Sequence, residues 1–377
     1  MPIQVSELET GVRLNRNPAL DGLRGLAILL VFIAHSLVFS AHPPQTDAQA
    51  KFWDLATQGA SGVDLFFVLS GYLITGVLMR AKGRVNYFRN FYARRFLRIF
   101  PVYYLALAVL MIILPLCLPR DRLLAEASAD KLWYFSYLTN IRIFFHRGWI
   151  YPIVNHAWTL AIEEQFYLLW PIVVLSLSAR NLIRLCVWGV MAGVLLRAGL
   201  HLHGIQEVPL RALTVTHLDG LLAGSWIAAL HFGPEQLPRT WRKWVWIGFA
   251  AAASAAMLPM SHQENSFFGS VMKISVATTF SAIALVVAVD GAILNPLNRF
   301  LTLPALRAFG KYSYGFYLFH QPLFWLIYPI LLPLTAYSPY GWILLGVLGG
   351  SLAFVLAVLS FHCFEMIFLR LKTRFET

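Results

Sequence analysis

The sequence predicts an all-α integral membrane protein, about ten transmembrane helices in one bundle with both termini cytoplasmic. Three observations carry that prediction. Hydrophobic residues make up 58% of the 377 residues and charged residues only 13%, about half the charged share of an average soluble domain. Ten segments reach the roughly 20 mostly apolar residues that a helix needs to cross a bilayer. The basic residues between those segments fall mainly on one side. The same composition excludes a disordered chain. The alternating pattern of barrel strands is absent, so helices must satisfy the backbone within lipid.

The ten segments lie at 20–41, 60–80, 98–118, 158–177, 182–200, 213–231, 243–260, 270–290, 312–334 and 341–364. The fourth is the least apolar, because it carries Glu163 and Glu164. With the N-terminus inside, Lys51, Arg120, Arg122, Lys131, Arg142, Arg147 and Arg211 face outward, and Arg24, Arg197 and Lys273 lie within spans. The remaining 20 of the 30 Lys and Arg residues are then cytoplasmic. This positive-inside bias accounts for most of the net charge of +12 without a nucleic-acid partner. Residues 1–19 read as a polar cytoplasmic segment, lacking the apolar core and cleavage site of a signal peptide. Residues 20–365 form the transmembrane domain and 366–377 a basic cytoplasmic tail. Cys117, Cys186 and Cys363 sit in apolar runs at unrelated spacings, so neither a disulfide framework nor a metal site is expected. The longest outside loop, 119–157, holds Trp133, Tyr134, Tyr137, Trp149 and Tyr151. An interfacial aromatic belt explains them most simply; a surface for a sugar uses the same residue types.

Charged side chains within a bilayer are costly and are functional candidates by default. Arg24 and His35 are eleven residues apart, which brings them within about 20° of one helical face and about 16 Å apart along the axis. A neutral histidine is a natural general base near pH 7. The plainer readings are snorkelling for Arg24 and an interhelical hydrogen bond for His35. Asp64 opens the second span, as a helix cap or as a carboxylate that orients a histidine. Arg89, Arg94, Arg95 and Arg98 fall between spans two and three on the cytoplasmic side. The spacing of Arg95 and Arg98 puts them on one face and suits phosphate, although lipid headgroups attract the same charges. Glu163 and Glu164 point about 100° apart, so at most one aims into a site; a water-exposed interfacial pair is the alternative. His156, Trp158 and Gln165 are polar neighbours of that pair. His217 and Asp219, Tyr312, Tyr314 and His320, and Glu365 are weaker signals, most simply explained by packing.

The stretches LDGLRGLAILLVFIAH, GVDLFFVLSGYLI, FYARRFLRIFPVYY, AWTLAIEEQFYLLWP, HLDGLLAG and GKYSYGFYLFHQP, in this order from residue 20 to about 365, resemble the acyltransferase-3 family of integral membrane O-acyltransferases. The resemblance implies a ten-helix membrane core and transfer of a short acyl group from acyl-CoA to hydroxyls of surface polysaccharide, lipopolysaccharide or related glycoconjugates. It places the family's R-x10-H motif on Arg24 and His35 and its RxxR motif on Arg95 and Arg98. Its conserved aspartate falls on Asp64 and the glutamate of its WSLxxE motif on Glu163, with Thr159 in place of the usual serine. Some members carry a further C-terminal domain; this chain resembles the stand-alone form.

The expected arrangement is therefore catalytic His35, Asp64 and Glu163, and donor-binding Arg24, Arg95 and Arg98. No permanently bound cofactor is expected. Acyl-CoA, with acetyl the first choice, is the donor; an extracytoplasmic carbohydrate or glycolipid is the acceptor; the setting is a bacterial inner membrane. His35 serves as base or as acyl carrier, and Asp64 or Glu163 holds its imidazole. The competing reading is a transporter or flippase of a glycan or lipid precursor, with the same charges acting as a relay. A third is a structural partner in polysaccharide synthesis.

Overall fold

In a computed structural model, which describes residues 17–37, 46–233, 248, 266–290, 295–335 and 341–375, every described element is helical. Nine of the ten predicted segments fall on described helices; 243–260 lies outside the described residues apart from residue 248, as do residues 1–16 of the N-terminal segment. Six described stretches are long and apolar enough to cross a membrane: Pro18–Leu37, Gln49–Ala81, Tyr87–Cys117, Ala179–Leu202, Phe268–Asp290 and Ile343–Phe375.

Helix α1 (Pro18–Leu37) is followed by the short α2 (Asp47–Thr57) and then by α3 (Gly62–Ala81). Helix α4 (Tyr87–Ala108) continues through a π turn (Val109–Ile113) to Cys117. Three short helices, α5 (Arg122–Ala129), α6 (Lys131–Phe135) and α7 (Thr139–His146), fill the long loop before α8 (Ala157–Ser176). Then come α9 (Ala179–Leu202), α10 (Glu207–Ala212), α11 (Asp219–Phe232), α12 (Lys273–Asp290), α13 (Asn295–Leu301), α14 (Pro304–Thr335) and α15 (Gly341–Ser360).

Small residues bring two helix pairs into backbone contact, as expected where lipid supplies no hydrophobic drive for association. A β-carbon on Gly224 would come within 1.9 Å of the Val68 carbonyl oxygen, and one on Gly71 within 2.0 Å of that of Leu221, so α3 and α11 touch through their main chains. Gly25 and Gly310 do the same between α1 and α14. The contacts also fix directions. Asp21 meets Gly310 and His35 meets His320, so α1 and α14 run parallel. Ser70 meets Glu163 and Thr75 meets Trp170, so α3 and α8 run parallel. Tyr87 reaches Pro171 and Tyr92 reaches Leu168, so α4 and α8 run antiparallel. These directions match the alternation of the predicted spans.

Arg197, predicted within a span, is fully buried on α9. Its guanidinium forks onto Asp219 at 2.7 Å through both terminal nitrogens and also bonds the Thr216 carbonyl, the Val271 carbonyl and Ser275. A buried charge pair is tolerable when its donors and acceptors are satisfied in this way. It ties α9, α11 and α12 together.

The 119–157 loop departs from both sequence readings. Tyr134, Tyr137 and Tyr151 are buried, and the hydroxyls of Tyr103 and Tyr104 on α4 donate to the carbonyls of Tyr134 and Phe135. The loop folds down onto α4, so these rings are core rather than belt or sugar platform. Burial, with the Asp130 carboxylate accepting from it at 3.1 Å, pushes the Tyr151 hydroxyl up to about 12. Trp149 alone among the five loop rings named above is exposed.

Candidate active site

His35 lies in the last turn of α1, one face of which is pinned to α14 by the glycine contacts. His320 stands opposite on α14. His35 Nδ1 and His320 Nε2 are 2.8 Å apart with the rings stacked 8° from parallel. His320 Nδ1 is 2.6 Å from the Tyr317 carbonyl oxygen. A carbonyl only accepts, so His320 Nδ1 carries hydrogen and its Nε2 carries a lone pair. His35 Nδ1–H therefore donates to His320, and the lone pair of His35 sits on Nε2. This is the tautomer a general base needs, with its other nitrogen fixed by a partner.

A second layer surrounds this couple. His156, in the turn before α8, packs 5.4 Å from the His320 ring, and its ring and backbone N–H both meet the Gln321 side-chain oxygen. The Tyr317 hydroxyl donates to the His156 carbonyl and is 2.7 Å from the Thr159 hydroxyl. Threonine at 159 thus keeps the hydroxyl that the motif's serine would supply.

Asp64 is buried at the start of α3, but its partner is His217 rather than His35. His217 Nε2 is 2.9 Å from Asp64 Oδ1, and His217 Nδ1 is 2.7 Å from the Arg211 carbonyl. Both nitrogens thus face acceptors, and the ring is held at two points. Trp158 stacks on the His217 ring at 5.4 Å. Arg211 approaches Asp64 at 4.0 Å.

Glu163 does not hold His35 either. It accepts from the Ser70 hydroxyl at 2.6 Å, two turns deeper along α3 than Asp64. Glu163 and Glu164 are half-buried, and the Oε1 of Glu164 is a buried atom with no hydrogen-bond partner among the described residues, so the pair is not a fully water-exposed interface feature. Arg95 lies 5.1 Å over the Tyr167 ring and is within electrostatic reach of Arg24 and both glutamates, and Arg24 is within reach of Glu163. Arg24 also has Asp21 at 3.9 Å.

Arg95 and Arg98 belong to α4 itself, eight and eleven residues beyond Tyr87, not to a loop. The cross-links to α8 set Arg95 deeper than Tyr92. A spacing of three residues leaves the two side chains about 60° apart, and here that divides them. Arg95 turns to α8, while Arg98 lines a crevice with Lys311, Tyr312, Tyr314 and Glu365.

The structure therefore groups the expected residues into four places: His35 with His320, Asp64 with His217, Glu163 with Arg24 and Arg95, and Arg98 with Lys311 and Glu365. His320, His217 and Arg211 are the members that sequence reasoning underweighted. The YLFHQP and THLDG stretches held the first two. Arg211 was indistinguishable from any charge outside the spans. No cluster suited to a metal occurs among the described residues.

A helical bundle with two histidine couples near one end, and half-buried arginines further along, defines a multi-pass membrane protein built around polar chemistry. The chain belongs to the acyltransferase-3 family: the family's sequence model, an acyltransferase domain, matches residues 17–362. Among its relatives, the peptidoglycan O-acetyltransferase OatA of Listeria monocytogenes is 29% identical over 92% of this chain and 55% of its own length. The O-acetyltransferase OatA of Staphylococcus aureus is 31% identical over 81% of this chain and 50% of its own. The chain spans about half the length of these relatives. No solved structure matches it.

Proposed function

We propose that this chain is a membrane O-acyltransferase that moves an acyl group, acetyl first among them, from cytoplasmic acyl-CoA to a hydroxyl of an extracytoplasmic glycan. The names of its relatives favour peptidoglycan as the acceptor; the setting proposed is a bacterial inner membrane. The observation that carries the proposal is the line of contacts from His35 through His320 to the Tyr317 carbonyl, which assigns the Nδ1–H of His35 to His320 and leaves its Nε2 as a base.

In this reading the histidine end of the bundle faces outward and both termini are cytoplasmic, as the positive-inside charge bias supports. The acceptor hydroxyl gives its proton to His35 Nε2 as its oxygen bonds to the thioester carbonyl carbon. The C–S bond breaks, and the leaving thiolate takes the proton back. The products are an ester and free CoA thiol. Arg98 and Lys311 offer cations for the donor's phosphates, and Arg24 and Arg95 line the deeper interior. The uncharged pantetheine arm is the one part of the donor that can enter the bundle without a large desolvation penalty. Its length is on the scale of the 16 Å or so between Arg24 and His35.

The test is acetyl transfer by membranes holding equal amounts of wild-type or His35→Gln protein, with radiolabelled acetyl-CoA and cell-wall glycan. Label in the glycan with wild type alone is the expected result. Equal labelling by both removes His35 from the chemistry. Movement of glycan across the membrane with no covalent label from wild type, under conditions where acetyl-CoA binds, replaces the enzyme by a transporter.

A further inference from the structure

A base accounts for part of such a reaction. The thioester carbonyl also develops negative charge on its oxygen, and in a water-poor site that charge needs donors already in place. None of the residues assigned above supplies them.

Arg211 on α10 meets the requirement. Its side chain is 12% exposed. A guanidinium has five N–H donors, yet the one hydrogen bond found for it among the described residues runs from Nη2 to the Ala60 carbonyl at 3.2 Å. Its carboxylate neighbours stand off, Asp64 at 4.0 Å and Glu207 at 3.9 Å. Arg197, by contrast, has every neighbour drawn in to hydrogen-bond distance.

The position is also suitable. Ala60 follows Gly59, whose β-carbon position lies 3.5 Å from Ala34, the residue before His35. Arg211 is thus bonded to a stretch of chain packed against the end of α1 that carries His35, and it is within electrostatic reach of both His35 and Tyr317.

The neighbouring charges leave the guanidinium available: Glu207, 3.9 Å from it, also faces Lys273 at 3.5 Å, and Asp64 has its hydrogen bond with His217. We infer that Arg211 is a catalytic residue that donates to the carbonyl oxygen of the thioester as it becomes an oxyanion, opposite His35. The inference rests on the acyl-transfer reading and adds the electrophilic half of the site.

The experiment measures kcat and KM for acetyl-CoA with detergent-purified wild type, Arg211→Gln and Arg211→Lys. Wild-type transfer must be present first; its absence counts against the acyl-transfer reading itself. Given transfer, Arg211→Gln is expected to lose about 10²–10³-fold in kcat with KM within about threefold. Arg211→Lys keeps a cation between Asp64 and Glu207 but loses the fork of donors. It is expected to lose roughly tenfold in kcat at unchanged KM, so it decides the matter even where Arg211→Gln fails to accumulate. Wild-type kcat in Arg211→Lys with a lost fold in Arg211→Gln means that Arg211 only ties the loop together. A rise in KM at constant kcat means that it only binds substrate. Either result overturns the inference.

Discussion

The two histidine couples differ in what faces the second nitrogen, and in the proposed reaction that difference separates a reactive group from a fixed one. His217 lies between a carboxylate and a carbonyl, and both its nitrogens face acceptors. His35 lies against another imidazole, which lies against a carbonyl, and the chain of donors ends with a lone pair on His35 Nε2. An aspartate beside a histidine is the usual sign of a catalytic pair. In the proposed reaction the carboxylate couple is the structural one, and the couple without a carboxylate holds the base. What decides is where the second nitrogen points, not which partner is more strongly charged.

The largest expected effect tests the reactive couple directly. His35→Gln keeps a polar side chain of similar reach and removes the base. Acetyl transfer is expected to fall about 10²–10⁴-fold, the usual contribution of one positioned base, while the thermal unfolding midpoint in detergent stays within a few degrees. A variant that keeps full turnover, or one that unfolds with its activity, would make the two couples alike.

The next effect tests the fixed couple through stability. Asp64→Asn preserves shape and leaves an oxygen for His217, but it strands Arg211 and the imidazole without their carboxylate. Removing one member of a buried pair costs about 3–5 kcal/mol. The expected outcome is a clear fall in the unfolding midpoint of the purified protein, larger than for His35→Gln. If the midpoint does not move, the pair is not the structural element that the contrast requires.

How much of this contrast was legible beforehand depends on the range of the interaction. His35 was readable because a histidine at depth on the face of Arg24 is a local pattern. Its partner was not, since His320 is 285 residues away and helix order within a bundle leaves no trace in local periodicity. Asp64 was readable as a buried carboxylate, but the same ignorance of neighbours gave it to the wrong histidine. Arg95 and Arg98 shared a face at the resolution of a helical wheel, and the remaining 60° was enough for two clefts. The loop tyrosines failed for another reason: an aromatic near a span boundary has the same signature whether lipid or protein covers it. One packing signal was present in the sequence but went unread. Gly220 and Gly224 in HLDGLLAG lie four residues apart, the spacing of close helix contact in membranes, and the α3–α11 interface is built on them.

The smallest effect comes from His320, which acts through His35 and touches no substrate in the proposed reaction. Its work is to accept at Nε2 and donate at Nδ1. A glutamine in its place has an oxygen that can accept from His35 and an amide N–H that can donate to the Tyr317 carbonyl, so His320→Gln is expected to keep most of the turnover. His320→Leu can do neither. It frees the His35 ring to rotate and to carry its hydrogen on the wrong nitrogen. The expected loss is up to about 10²-fold in kcat, the scale of misplacing a catalytic group by about an ångström, with KM for acetyl-CoA unchanged. The pair of variants separates positioning from packing. A leucine fills the space at least as well as a glutamine in an apolar interior, so a purely structural His320 predicts the reverse order of activity. Restoration by glutamine and not by leucine would mean that the direction of one hydrogen bond sets which of the protein's histidines reacts.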